Sequence, residues 1–286
     1  MMLIANLLKP TVDYVFKRIF GYKGNEQITA NLLSSILKQE IDDVELTGSP
    51  ILEKDLLDDK VGILDIKAKI NKNVTCDIEM QVVDQNNIEE RILFYWGKLY
   101  TKTIISGENY KELEKCIVIL FADFELDSLK DIPKYATKWN IREKDFVNYI
   151  LTDRLEIYII ELPKISSFNE NESLDSWVKF IKNPEVVDMS DANDNEAVKA
   201  AKKVLQDISN DEKERELAEL REKYIMDQKA IASKGYDKGL EAGIQQGIEQ
   251  ERYNNAKKML EEKIDIAIIS KITGLSVEEI EKIEIE

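Results

Sequence analysis

Apolar residues recur at helical spacing twice within residues 11–38: Val12, Val15, Phe16 and Ile19, then Ile28, Leu32, Leu33 and Ile36. Gly21 and Gly24 interrupt the pattern, so the segment predicts two short helices. Residues 41–57, with turn signals at Gly48 and Pro50, predict a short extended piece and a loop. Between 61 and 83 the period changes to two. Leu64, Ile66, Ala68 and Ile70 alternate with Asp65, Lys67 and Lys69; after Asn71-Lys72-Asn73, the residues Val74, Cys76, Ile78, Met80 and Val82 alternate with Thr75, Asp77, Glu79 and Gln81. Such alternation on both sides of a polar turn predicts a β-hairpin with one buried and one polar face. Residues 87–105 read as a helix, 116–126 as a strand buried on both faces, 141–150 as helix-like, and 154–162 as a further strand. The order helix, hairpin, helix, strand, strand predicts an α/β fold.

Beyond Pro163 the chain predicts an almost wholly helical remainder, with a polar stretch at 188–196 marking a boundary. Two parts follow: 1–186, and a helical region 187–286. Within the second, Gly235, Gly239, Gly243 and Gly247 recur every four residues. Four glycines inside a helix cost roughly 4 kcal/mol relative to alanine. Close approach of another backbone, as in a helix pair between two chains, would offset that cost; a flexible hinge is the alternative. Lys234, Asp237, Lys238 and Glu241 exclude a membrane span there. The last residues predict two short helices joined at Gly274-Leu275-Ser276, with Ser276 and Glu279 placed for a capping box. This resembles a helix-turn-helix in outline only: Glu278, Glu279, Glu281, Glu284 and Glu286 would repel DNA phosphates, so a hairpin that packs or pairs is expected.

Composition narrows the chemistry. A chain of 286 residues has room for about two domains. It has 40 basic and 56 acidic residues, a net charge of −16, and no histidine. Without imidazole, Ser/His/Asp and Cys/His nucleophilic sites, His-ligated zinc hydrolases and nucleases with a His base are all excluded. Two cysteines, Cys76 and Cys116, make neither a Cys₄ zinc site nor a disulfide framework and suit a reducing cytosol. The first ten residues do not resemble a signal peptide, and no apolar run reaches the ~18 residues of a membrane helix. A cytoplasmic protein is expected. The acidic balance argues against indiscriminate nucleic-acid binding but leaves room for a local basic groove.

Carboxylates, lysines and hard metal ions remain, and the hairpin gathers them. A three-residue turn at 71–73 pairs Ile70 with Val74, which places Lys67 opposite Asp77 and Asp65 opposite Glu79. A one-residue slip would turn one apolar stripe outward, so the register is fixed to within even shifts. Opposed carboxylates repel unless a proton or cation lies between them, and an oxygen-rich site suits Mg²⁺ or Mn²⁺. A solvated strand face neutralised by Lys67 and Lys69 is the competing reading.

An acidic residue on one strand, Glu-x-Gln on the next and then a helix resembles the PD-(D/E)xK nuclease core. Asp13-Tyr14-Val15-Phe16-Lys17, Asp77-Ile78-Glu79-Met80-Gln81, the helix from Arg91 to Tyr100, the late Ile160-Glu161-Leu162 and the glycine repeat together resemble the recombination-promoting nuclease (Rpn), PD-(D/E)xK nuclease family of transposase-like proteins. The resemblance implies a restriction-endonuclease-like core, a mixed sheet flanked by helices, and a metal-dependent DNA endonuclease with Mg²⁺ or Mn²⁺ as cofactor. Carried over by position, Asp65, Glu79 and the Met80 carbonyl would hold the ion. Gln81 would stand where many such nucleases have lysine, and Lys67 could substitute electrostatically. Asp13 would either bind metal through water or cap its helix. Arg91, Tyr95, Lys98 and Lys102, spaced by 4, 3 and 4, share one helical face expected to touch DNA phosphates; an ordinary solvated face is the alternative. A nuclease-fold DNA-binding or regulatory module without catalysis, acting through oligomerisation, is the second functional expectation. Self-association, as a homodimer through Gly235, Gly239, Gly243 and Gly247, is expected in either case.

Overall fold

A computed structural model describes residues 6–47, 65–84, 86–166, 172–190 and 195–283. The expectations for 48–57 and 61–64 lie outside these residues. Two helices open the chain, α1 (Asp13–Phe20) and α2 (Glu26–Leu37), followed by a short strand β1 (Val44–Leu46). The hairpin is formed by β2 (Ile66–Ile70) and β3 (Val74–Gln81), and α3 (Ile88–Thr101) follows it. Three more strands, β4 (Lys115–Ala122), β5 (Ala136–Trp139) and β6 (Leu155–Glu161), complete one six-stranded sheet in the order β1-β2-β3-β4-β6-β5. The β3-β4 and β4-β6 pairs are parallel and the others antiparallel. Helices α4 (Glu172–Lys182), α5 (Glu196–Asn210), α6 (Glu212–Glu261), α7 (Ile266–Thr273) and α8 (Val277–Glu281) follow. No helix among the described residues is long and apolar enough to cross a membrane.

The hairpin register is the one parity requires, with Ile66 opposite Ile78, Lys67 opposite Asp77 and Ile70 opposite Val74. Its turn places Asn71 and Lys72 at φ of 47° and 64°, and Asn73 N–H donates to the Ile70 carbonyl at 3.3 Å. Two successive left-handed residues match the right-handed twist of the flanking strands. Ile66, Ala68 and Ile70 of β2, with Cys76, Ile78 and Met80 of β3, face a core shared with Phe16 and Phe20 of α1, Leu32 and Leu33 of α2 and Trp177 of α4.

The other face differs from expectation. β3 lies between β2 and β4, and α3 covers the polar side of the hairpin, so Asp77 and Glu79 are buried instead of solvated. A second core of Ile88 and Ile92 from α3, Val118 and Leu120 from β4, and Leu126 and Leu129 occupies that side. The expected helix at 141–150 is also absent. Arg142 bridges Ile150 in antiparallel fashion and Leu151 N–H donates to the Ile141 carbonyl at 3.0 Å, closing a small hairpin beyond β5, a strand the apolar pattern missed. Apolar spacing there mimicked a helix, yet Phe146, Tyr149 and Leu151 are exposed.

Contacts divide the chain into two compact units, Met1–Asp227 and Gln228–Glu286, with the division inside α6. The sequence boundary after 186 falls earlier because α5 packs on α1 and α2, and because Arg221 and Glu214 of α6 pair with Asp13 and Arg18 of α1. In the second unit the end of α6 packs with α7 and α8 around Ala256, Ile269, Ile280 and Ile283. Gly274, at φ 74°, ends α7. The Ser276 and Glu279 capping box opens α8 as expected.

Candidate active site

Alternation along β3 sends Asp77, Glu79 and Gln81 to the α3 face, beside Val118, Leu120 and Ala122 of β4 in parallel register. Asp65 immediately precedes β2, and extending the hairpin register sets it opposite Glu79. Asp65, Asp77 and Glu79 are all more than nine-tenths buried. Burial is the main reason their carboxyls are hard to ionise. It lifts Asp77 to about 7 and Glu79 to about 8, with the nearby Asp65 charge as the next cause in each. Burial also raises Asp65, opposed by the cations Lys67, Lys17 and Arg91.

The three carboxylates have different partners. Arg91 Nη2 donates to Glu79 Oε1 at 3.1 Å and to the Tyr95 hydroxyl at 3.2 Å, and the Gln81 amide also donates to Glu79 Oε1. Asp77 Oδ1 is buried with no hydrogen-bond partner among the described residues. Asp65, Lys67, Asp77, Tyr95, Lys98, Leu99 and Lys102 line one cavity of about 50 Å³. Thus Lys98 and Lys102 do face the carboxylates and are exposed, as a phosphate-contacting stripe requires. The N-terminal half of that stripe is different: Tyr95 is buried and Arg91 is committed to Glu79, because α3 turns this half against the sheet.

Asp13 does not cap α1, and its carboxylate is paired with a distant arginine. Val12 is the N-cap of α1, and Asp13, in the first turn, accepts the Tyr14 N–H at 2.8 Å. Its carboxylate is forked by Arg221, whose Nη2 reaches Oδ2 at 2.7 Å and whose Nε reaches Oδ1 at 3.0 Å. One helix turn on, Lys17 is buried and its charge acts on Asp65 and Asp77. Lys17 stood in the sequence as the last residue of the Asp13–Lys17 motif, but with no role assigned to it. Asp77 was visible as a member of the polar stripe, but its lack of a partner was not. Met80 points its side chain into the α1 core, so only its backbone is available on the carboxylate side.

The donors are all oxygen, which suits a hard divalent cation, and the unpartnered Asp77 oxygen has capacity for one. Among the described residues no three His, Cys, Asp or Glu side chains converge tightly enough to enclose an ion. Backbone carbonyl, water or phosphate oxygens would complete the coordination, as is usual for Mg²⁺.

A mixed sheet flanked by helices, with acids from a hairpin turned toward the following helix, is the architecture of a PD-(D/E)XK nuclease core. Residues 10–235 match the family model of the PD-(D/E)XK nuclease family transposases, and the chain belongs to that family. Residues 249–284 match the C-terminal HTH domain of the Rpn/YhgA-like nuclease family. No curated protein and no solved structure matches the chain. The second match corrects the expectation of a helix-turn-helix in outline only. The buried Ala256, Ile269, Ile280 and Ile283 join a third helix, the end of α6, to the two terminal ones, and the acidic surface of α8 does not affect that packing.

Proposed function

We propose that the protein is a divalent-metal-dependent DNA endonuclease of the transposase-like, recombination-promoting type. The carrying observation is that buried carboxylates, Asp65 and Asp77, and three lysines, Lys67, Lys98 and Lys102, line the same cavity. Asp65, Glu79 and the Met80 carbonyl would hold Mg²⁺ or Mn²⁺. When bound, such an ion supplies an acidified water and neutralises charge developing at the phosphate. Arg91 holds the Glu79 carboxylate in place, and the exposed Lys98 and Lys102 offer cations to the DNA backbone. The Gln81 amide orients water but cannot take its proton, and Lys67 adds positive charge beside Asp77.

Plasmid nicking with Mg²⁺ or Mn²⁺ tests this reading. Asp65→Ala and Glu79→Ala are expected to lower the rate by about a hundredfold or more. Equal rates in the three proteins would overturn it. Lys98→Glu with Lys102→Glu is expected to weaken DNA binding and reduce its salt slope by about 2, one unit for each lost phosphate contact. An unchanged slope would remove these lysines from the interface.

A second reading, a DNA-binding or regulatory module without catalysis, is favoured by one observation: Glu79 is already engaged by Arg91 and Gln81. Wild-type protein that binds DNA but never nicks it would select that reading. In both, the C-terminal HTH unit contributes DNA contact and the glycine track self-association in a cytoplasmic protein. Support for the latter is local. A Cβ at Gly235, Gly239, Gly243 or Gly247 would meet nothing within 4 Å, and the residue after each glycine, Tyr236, Leu240, Ile244 and Ile248, is an exposed apolar side chain.

A further inference from the structure

The carboxylate that the family pattern leaves without a role is the one whose surroundings are incomplete. Asp77 is 7% exposed, and its Oδ1 has no hydrogen-bond partner among the described residues. Lys67 stands directly across the hairpin from Asp77 but forms no ion pair with it. Glu79 is the opposite case, with donors from both Arg91 and Gln81. A buried carboxylate oxygen without a donor is costly, and Asp77 keeps one in a side chain that lines a cavity. That cavity, about 50 Å³, is shared by Asp77 and Asp65, and Tyr95, Leu99 and the two exposed lysines of α3 line its other side. That space has room for a water.

We propose that Asp77 is a carboxylate ligand of the divalent cation, joining Asp65 across this cavity, while the Glu79 carboxylate is engaged by Arg91. The proposal rests on the nuclease reading above and deepens it. It places the cation beside Lys98 and Lys102, where a phosphate oxygen could complete its coordination.

Mn²⁺ binding to the full chain, measured by calorimetry without DNA, tests the assignment. Asp77→Asn keeps the shape of the side chain and removes the anionic ligand, and is expected to weaken Mn²⁺ binding at least about tenfold. Asp77→Cys separates ligation from a general loss of negative charge. A thiolate prefers soft cations, so this variant is expected to bind Cd²⁺ at least about tenfold more tightly than Asp77→Asn does. Melting in EDTA confirms that both variants fold. Asp77→Asn binding Mn²⁺ as wild type does, or Asp77→Cys failing to gain Cd²⁺, would overturn the assignment. If wild-type protein nicks plasmid in either of those cases, the nuclease reading stands without it. Wild-type protein that neither binds Mn²⁺ nor nicks DNA overturns both.

Discussion

Replacing Lys164 by methionine is expected to destabilise the first unit by about 3–5 kcal/mol, the usual cost of leaving one member of a buried ion pair alone. Lys164 Nζ donates to Glu161 Oε2 at 2.8 Å, to the Leu129 carbonyl at 2.8 Å and to the Ile132 carbonyl at 3.3 Å. Glu161 is fully buried at the end of β6, and its Oε1 accepts the Leu126 N–H at 2.8 Å. The pair therefore pins the segment carrying Leu126 and Leu129, which closes the core beneath α3. Methionine fills the lysine's volume but leaves the Glu161 charge uncompensated. Urea denaturation followed by tryptophan fluorescence reads this unit alone, because Trp96, Trp139 and Trp177 all lie within it. Glu161→Gln combined with Lys164→Met is expected to recover much of the loss, since the buried charge is then gone. A single-variant cost below about 1 kcal/mol would show that the pair is not a structural clamp.

Metal-free protein is expected to lose stability as pH rises from about 4 to about 8, by on the order of a few kcal/mol. The folded-state values of Asp77 and Glu79, about 7 and about 8, lie above their ordinary 3.8 and 4.5. A raised value means that the folded chain holds protons the unfolded chain has released. The stabilisation is complete below the ordinary values and is lost as pH climbs through the raised ones. Burial is the first cause and Asp65 the second in both; Lys67, Lys102 and Lys17 oppose it at Asp77, and Arg91 and Gln81 at Glu79. Urea midpoints in EDTA across this range measure the slope. Asp77→Asn should flatten part of it, and Mn²⁺ should offset the loss most at the alkaline end. A slope equal in wild type and Asp77→Asn would show that Asp77 does not retain its proton on folding.

The hairpin and the family were legible in the sequence, and the reasons are local. Parity alone fixed which side chains of β2 and β3 share a face, because an odd slip would expose Ile66, Ile78 and Met80. The end of α7 and the start of α8 were equally readable, since Gly274 supplies the left-handed turn and Ser276 with Glu279 the cap. The motif order along residues 10–125 carried the family, which the match over 10–235 bears out.

The state of the candidate site depended on partners distant in sequence. Alternation showed that Asp77 and Glu79 lie on one face but not that β4 and α3 would bury it, and that burial turned a row of ordinary acids into proton-retaining carboxylates. Asp13 was readable as a metal or capping residue, but its partner Arg221, 208 positions away, was not. Helical spacing grouped Arg91 and Tyr95 with Lys98 and Lys102, yet packing of α3 on the sheet drew the first two inward and left the lysines exposed. Local periodicity assigns a residue to a side of its own element. Which neighbour covers that side, and so which charges are desolvated and paired, is set by contacts between elements and was decided only in the tertiary structure.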